Sequence, residues 1–135
     1  MDTINVLVVD DEADFTELCV KRLRKRQIAA SGVSSGCQAL DFLAGQSIDV
    51  VVLDVRMPGM DGLETLKAIK KAYPAEVILI TGHDTEECAE EGMNDGAAAY
   101  LIKPFDIEVL ARSIRKAFRK KRIKEAQPAG SDPCE

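Results

Sequence analysis

Residues 50–62 of this chain read VVVLDVRMPGMDG, and the fold can be worked out from this stretch. Its first four residues are apolar and three of them are β-branched, which predicts a strand buried on both faces. Pro58-Gly59 and Asp61-Gly62 predict turns, so the strand must end near Asp54. Because open α/β sheets bind ligands at the carboxyl ends of their strands, Asp54 is a candidate functional residue. The alternative is an aspartate that only caps the following turn.

The size and composition of the chain favour one soluble globular domain. It has 135 residues, of which 46% are hydrophobic and 30% are charged. No apolar run approaches the roughly 20 residues of a membrane span, and the N-terminus lacks the pattern of a signal peptide. The four cysteines are scattered and have no histidine partners, so we expect free thiols in a reducing cytoplasm. The net charge of −5 argues against nucleic acid as a direct partner.

Apolar runs and helical periodicities alternate along the chain. With the turn signals between them, they predict five strands and five helices in strict alternation. The strands are predicted at 4–9, 28–33, 49–53, 77–80 and 97–102, and the helices at 13–26, 34–45, 63–72, 85–94 and 106–124. The domain is therefore expected to span 1–124. Residues 125–135, which are rich in Pro, Gly, Ser and acidic side chains, are expected to form a disordered tail or the start of a linker.

Strict alternation of strands and helices predicts a parallel sheet covered on both faces, because crossovers are right-handed. The strand order 2-1-3-4-5 gives a flavodoxin-like (βα)5 three-layer sandwich of the α/β class. In the first helix, Phe15 and Leu18 are expected to face the core. In the fourth helix, Ala89 and Met93 are the expected core anchors, and Gly92 is expected to make this helix the least stable.

Polar side chains follow four of the five predicted strands. They are Asp10-Asp11, Asp54, Thr81 and Lys103. Strands 1, 3, 4 and 5 are neighbours in the predicted order, so these side chains converge on one edge of the sheet. Carboxylates held close together repel one another unless a cation intervenes, and all-oxygen ligation suits Mg²⁺. Together with the lysine and the threonine hydroxyl, such a metal would stabilise a dianionic phosphoryl group on Asp54.

At this point the residues resemble a known family. Residues 4–121 resemble the receiver domain of bacterial two-component response regulators. The resemblance rests on Asp10-Asp11, the LDVRMPGMDG block, Thr81-Gly82 and the segment YLIKP at 100–104. The motifs are specific as a set in this order and spacing. The fold that the resemblance implies is the same flavodoxin-like sandwich.

The resemblance implies roles for the acidic residues. Asp54 matches the phosphoacceptor, which receives a phosphoryl group from a sensor histidine kinase or a phosphotransfer protein and holds it as an acyl phosphate. Asp10 and Asp11 match the Mg²⁺-binding acids, and the backbone carbonyl of Arg56 matches a further metal ligand. Judged from the residues alone, Asp11 or Glu12 could instead cap the first helix.

The resemblance also implies roles for three residues on the last two strands. Lys103 matches the phosphate-contacting lysine, and its peptide bond to Pro104 is expected to be cis. Thr81 and Tyr100 match the pair of switch residues. The alternatives are a simple carboxylate partner for Lys103, a helix cap for Thr81 and edge-strand packing for Tyr100.

The predicted function is a phosphorylation-dependent signalling switch rather than an enzyme, since the site assists only its own phosphorylation and dephosphorylation. The chain is either a stand-alone receiver or the receiver of a longer regulator, for example a transcription factor. A flavin-binding electron carrier has the same fold, but the acidic first loop and the 4% aromatic content weigh against it. An aspartyl phosphatase would need an aspartate where Arg56 stands. His83, the only histidine, follows Thr81 in a loop and is not expected to be a phosphodonor.

The charges of the last two helices favour a homodimer. The fourth helix is acidic and the last helix is basic. The residues concerned are Glu86, Glu87, Glu90 and Glu91 on the fourth helix and Arg112, Arg115, Lys116 and Arg119 on the last. We expect a weak, salt-sensitive, phosphorylation-dependent dimer across these faces. The alternative is two solvated faces of opposite charge.

Overall fold

A computed structural model describes residues 3–56, 62–82 and 86–126 of the chain. Within these ranges, strands and helices alternate as predicted, and each boundary lies within two residues of its predicted position. The strands are β1 (Asn5–Val9), β2 (Ala29–Val33), β3 (Val50–Asp54), β4 (Glu76–Thr81) and β5 (Ala99–Ile102). The helices are α1 (Ala13–Lys25), α2 (Gly36–Gly45), α3 (Gly62–Ala72), α4 (Glu86–Asn94) and α5 (Ile107–Ala126).

The five strands form one parallel sheet in the order β2-β1-β3-β4-β5, which confirms the predicted topology. In the central strands, side chains alternate between the two faces of the sheet. The first face packs against α1 and α5 through Leu23, Leu110 and Ile114. The second face packs against α2 and α3 through Leu43, Leu66 and Ile69. Burial on both faces explains why β1, β3 and β4 are nearly continuous apolar runs.

The prediction that Leu18 faces the core is wrong, since 49% of its surface is exposed. Val20 and Leu23 are buried in α1 instead. The reason lies in β2, where Gly32 has no side chain and α1 comes so close that a Cβ there would overlap Thr16. The buried face of α1 is thereby turned toward β2, and Leu18 lies at the exposed edge of the helix.

The prediction for α4 is only half correct. Ala89 is fully buried, but Met93 is 38% exposed and is not a core anchor. The buried face of α4 continues through Gly92, which lies against the side chains of Leu79, Leu63 and Leu66.

Two helices begin with a side chain that caps a backbone N–H. Ser35 is the N-cap of α2, and its hydroxyl accepts a hydrogen bond from the Gln38 backbone N–H at 3.1 Å. Before α5, the Asp106 carboxylate accepts from the Glu108 backbone N–H at 2.9 Å. In the part of the chain that the structure describes, no helix is both long and apolar enough to cross a membrane. The predicted tail begins at residue 125, but α5 continues to Ala126, and residues 127–135 lie outside that part.

Candidate functional site

Four predicted site residues lie at the carboxyl ends of neighbouring strands. Asp10 directly follows β1, Asp54 ends β3, Thr81 ends β4 and Lys103 directly follows β5. Because these four strands are adjacent, all four residues lie along one edge of the sheet. The expectation that the strand ends converge is therefore confirmed, and the site occupies the position at which parallel α/β sheets bind ligands.

Lys103 binds two acidic side chains at this edge of the sheet and lies close to a third. Its Nζ donates hydrogen bonds to Asp10 Oδ2 at 2.9 Å and to Glu12 Oε1 at 3.1 Å. The same nitrogen lies 3.9 Å from Asp54 Oδ2. Burial lowers the pKa of Lys103, but its hydrogen bonds to Asp10 and Glu12 outweigh burial, so the pKa is raised above its ordinary value. Lys103 is therefore a permanent cation that pairs with carboxylates and lies beside Asp54. Its peptide bond to Pro104 is cis, as expected.

Asp54 is a nearly buried carboxylate whose proton affinity is increased by its surroundings. Only 8% of the residue is exposed, and its Oδ1 accepts a hydrogen bond from the Arg56 backbone N–H at 3.0 Å. Burial raises the pKa of Asp54 to about 6, the negative charge of Asp10 adds to the increase, and the Arg56 N–H and Lys103 oppose it. At neutral pH Asp54 is thus mostly ionised and available as a nucleophile.

Asp10 and Glu12 are held in place by the start of α1. Asp10 is 1% exposed, and its Oδ1 accepts from the Glu12 backbone N–H at 2.9 Å. The Thr16 hydroxyl donates to the Asp10 backbone carbonyl at 3.0 Å. Glu12 is the N-cap residue of α1, yet its side chain makes no capping hydrogen bond. The alternative role of Glu12 as a side-chain cap is therefore wrong, and its carboxylate binds Lys103 instead.

The acidic residues form a group suited to a metal ion. Asp10, Glu12 and Asp54 each offer a carboxylate oxygen, and these three oxygens lie within 4.8 Å of one another. Three carboxylate oxygens this close together, with one ammonium group to offset part of their negative charge, suit a hard divalent cation. Asp11 is exposed and is not part of this group, so its role as a metal ligand stays a prediction. The metal role of the Arg56 carbonyl stays a prediction as well.

The two residues that are predicted to act as a switch lie on the neighbouring strands β4 and β5. Thr81 is 1% exposed, and its hydroxyl donates to the Gly82 backbone carbonyl at 3.0 Å. Tyr100 is half-buried in β5, pairs in register with Leu79 and packs against the core on the α2–α3 face of the sheet. Their coupling stays a prediction. His83 and residues 57–61 lie outside the described residues.

Two residues of the site were not identified from the sequence. Glu12 contacts Lys103 and belongs to the acidic group, although its position suggested only a helix cap. Phe15 was assigned to the core, yet its ring lies under the Lys103 ammonium. The run DDEADF at 10–15 contains a signal for both, because residues in the first turn of α1 lie next to the end of β1.

Comparisons with known proteins agree with this geometry. The family described as response regulator receiver domain matches residues 6–115. The transcriptional regulatory protein ZraR of Escherichia coli strain K12 is 40% identical over 118 residues, which are 87% of this chain and 27% of ZraR. The heme response regulator HssR of Staphylococcus epidermidis is 32% identical over 120 residues, which are 89% of this chain and 54% of HssR. The chain thus spans about a quarter to a half of these relatives.

Solved structures show the same fold at similar identity. A response regulator receiver domain protein from Clostridium thermocellum superposes with a TM-score of 0.86 at 32% identity, covering 90% of this chain and 98% of that one. Full-length FixJ from B. japonicum superposes with a TM-score of 0.85 at 32% identity, covering 93% of this chain and 62% of that one.

Proposed function

Because the chain belongs to the response regulator receiver domain family, we propose that Asp54 is its phosphoacceptor and that phosphorylation of Asp54 switches the domain. The observation that carries this proposal is the contact set of Lys103, which bonds Asp10 and lies 3.9 Å from Asp54 Oδ2. A carboxylate nucleophile beside a fixed cation is what phosphoryl transfer requires, since the transferred group carries negative charge throughout.

In the proposed reaction, an Asp54 carboxylate oxygen attacks the phosphorus of a phosphohistidine on a sensor histidine kinase or phosphotransfer protein. The new P–O bond forms an acyl phosphate as the P–N bond breaks, and the imidazole leaves with the bonding electron pair. The Lys103 ammonium neutralises charge on the phosphoryl oxygens. Without a metal ion, the pKa of about 6 leaves Asp54 mostly ionised at pH 7.

The cation proposed for the acidic group is Mg²⁺. It would supply positive charge and orient the phosphoryl oxygens, a task that typically engages one or two carboxylates and leaves several waters on the metal. Asp10 and Asp11 are the proposed acidic ligands, with Asp54 and the Arg56 carbonyl. Glu12 competes with Asp11 for this role, because Glu12 is the residue grouped with Asp10 and Asp54.

The proposed output is a rearrangement on the face formed by α4, β5 and α5. The Thr81 hydroxyl would leave the Gly82 carbonyl for the phosphoryl group, and Tyr100 would move into the space that Thr81 vacates. The domain would act as a cytoplasmic switch rather than as an enzyme on other substrates. Its proposed partners are a kinase or phosphotransfer protein and a second, weakly bound copy of itself, with no direct contact to nucleic acid or membrane. Because ZraR is several times longer than the match, we favour a receiver module of a longer regulator.

Phosphorylation by acetyl phosphate tests the central assignment. With Mg²⁺ and the small donor, the parent should gain one phosphoryl group by intact mass, and Asp54→Asn should gain none, because an amide is not a competent nucleophile. Asp41→Asn, an exposed aspartate of α2, is the matched control and should react like the parent. An equal adduct on Asp54→Asn would remove Asp54 from the role.

Titration with Mg²⁺ separates the two candidate ligands. Asp11→Asn should weaken Mg²⁺ binding more than Glu12→Gln does. The reverse order would replace Asp11 by Glu12 in the metal site while leaving the phosphoacceptor assignment intact.

A further inference from the structure

The aromatic ring of Phe15, in the first turn of α1, lies under the ammonium group of Lys103. Nζ is 4.1 Å from the ring centroid, within the roughly 6 Å at which a cation is attracted to the face of an aromatic ring. Phe105 meets the same ring edge-on, with centroids 6.0 Å apart and planes at 83°. The ring of Phe15 therefore packs against Phe105 and presents its face to the ammonium group.

Lys103 needs such a support because its ammonium sits on a flexible stem. Its hydrogen bonds to Asp10 and Glu12 use carboxylates that belong to the acidic group. A metal ion bound by those carboxylates would weaken their attraction for the ammonium group. The ring face of Phe15 uses no carboxylate oxygen, so its attraction persists. The side chain of Lys103 is also only 23% exposed, and partial removal from water strengthens a cation–π contact.

We propose that Phe15 is a positioning residue for phosphoryl transfer, whose ring holds the Lys103 ammonium beside Asp54. This inference rests on the proposed function, because a position for the ammonium matters only if Asp54 receives the phosphoryl group. Phe15 touches no reacting atom and acts through Lys103. Its effect must therefore depend on the presence of the lysine.

Three substitutions separate this role from core packing. Phe15→Leu keeps an apolar side chain but removes the ring face, and Phe15→Tyr keeps the ring. Phe118→Leu in α5 is the matched control, because Phe118 is also partly buried against the same core cluster and also lies under a cation, Arg122, at 5.8 Å from its ring centroid. Each variant is made in the parent and in Lys103→Met.

The first readout needs neither metal nor phosphate. With ¹³C-labelled lysine, the ε-protons of Lys103 should show an upfield ring-current shift in the parent and in Phe15→Tyr. The shift should disappear in Phe15→Leu and remain in Phe118→Leu. The second readout is the rate of phosphorylation by acetyl phosphate with Mg²⁺. Phe15→Leu should lower it by about threefold to tenfold, the size expected for one partly buried cation–π contact.

The outcomes distinguish the inference from its premise. A rate loss in Phe15→Leu that is restored in Phe15→Tyr and absent in the Lys103→Met background supports the positioning role. A parental rate in Phe15→Leu, or an equal loss with and without Lys103, overturns it while phosphorylation of Asp54 stands. A parent that acetyl phosphate does not modify at all overturns both.

Discussion

At the scale of single residues, the side chains of the site come from two places, the carboxyl ends of the strands and the start of α1. Asp10, Asp54 and Lys103 are predictable because strand order alone brings strand ends together. Glu12 and Phe15 are not, since their contacts depend on the exact path of α1 and on the rotamer of a long lysine side chain. A pattern that assigns Phe15 to the core is correct that the ring packs against core residues, although the ring is only partly buried. The pattern does not reveal which charged group the ring contacts.

The raised pKa of Asp54 leads to a prediction about stability and pH. Its pKa in the folded protein is about 6, against 3.8 for the free group, so between these values the folded chain keeps a proton that the unfolded chain has lost. Asp54 therefore lowers the stability progressively as the pH rises from about 4 to 6. The substitution Asp54→Asn removes the ionisable group and with it this loss of stability. Above pH 6 the variant should be more stable than the parent by about 1–2 kcal/mol, a figure reduced for partial access of water.

Urea denaturation between pH 4 and pH 8, in the presence of a chelator, measures this difference. The advantage of Asp54→Asn should shrink toward zero as the pH falls to about 4. Asp41→Asn, which changes an exposed carboxylate, should differ from the parent by the same small amount at every pH. Identical stability of Asp54→Asn and the parent across the range would show that burial does not raise the pKa of Asp54.

At the scale of secondary structure, the order and type of the ten elements in the described residues follow from the sequence, because alternating strands and helices leave few topologies open. The faces of the helices are harder to predict. At Gly32 and at Gly92, the missing side chain lets a helix pack close to the sheet. A count of apolar periodicity treats a glycine as a gap in the apolar face of the helix. Leu18 and Met93, which the sequence predicts to be buried, are exposed in the two helices that pack closely at these glycines.

Gly92 therefore lowers the helix propensity of α4 but also allows a specific packing contact with the sheet. A Cβ at this position would overlap Leu79 and lie 3.2 Å from a methyl carbon of Leu63. In Gly92→Ala, overpacking costs about 1–3 kcal/mol, whereas the better helix propensity of alanine contributes about 1 kcal/mol. We expect a net destabilisation on the order of 1 kcal/mol.

Gly45→Ala is the matched comparison, because a Cβ at the end of α2 meets nothing within 4 Å. That variant should be as stable as the parent or slightly more stable, since only the propensity changes. Thermal unfolding of both variants measures the difference. A more stable Gly92→Ala would mean that α4 can shift away from Leu79 without cost, and that its packing is loose.

At the scale of the whole molecule, the two ends of the sheet carry different electrostatic arrangements. The carboxyl end holds the acidic group and Lys103, whereas the amino end fastens α5 to the sheet. Lys121 Nζ donates to Asp49 at 3.1 Å, and Lys124 Nζ donates to the buried Glu76 at 2.9 Å. Two of the basic residues of α5 are therefore committed to contacts inside the domain. Neither lysine is among the four basic residues of α5 that are expected to meet a second copy.

The four basic residues of α5 that are expected to meet a second copy are all exposed. Arg112, Arg115, Lys116 and Arg119 are all exposed, as are Glu87, Glu90 and Glu91 on α4. A two-fold axis would set the acidic helix of each protomer against the basic helix of its partner. Exposed ion pairs contribute little each and are screened by salt, so the predicted dimer is weak and forms at low ionic strength.

Sedimentation velocity with and without beryllofluoride, a phosphoryl mimic, tests this prediction. The beryllofluoride form should associate at low salt and dissociate above about 0.3 M salt, where the screening length falls well below 10 Å. Arg115→Glu should abolish association, and Arg115→Glu combined with Glu90→Lys should restore it, because the double variant re-creates opposite charges across the two-fold axis. Lys21→Glu, an exposed lysine on α1, is the control and should leave association unchanged. If the parent stays monomeric in both states at low salt, the charged faces of α4 and α5 are free to contact a different partner, such as a further domain of a longer regulator.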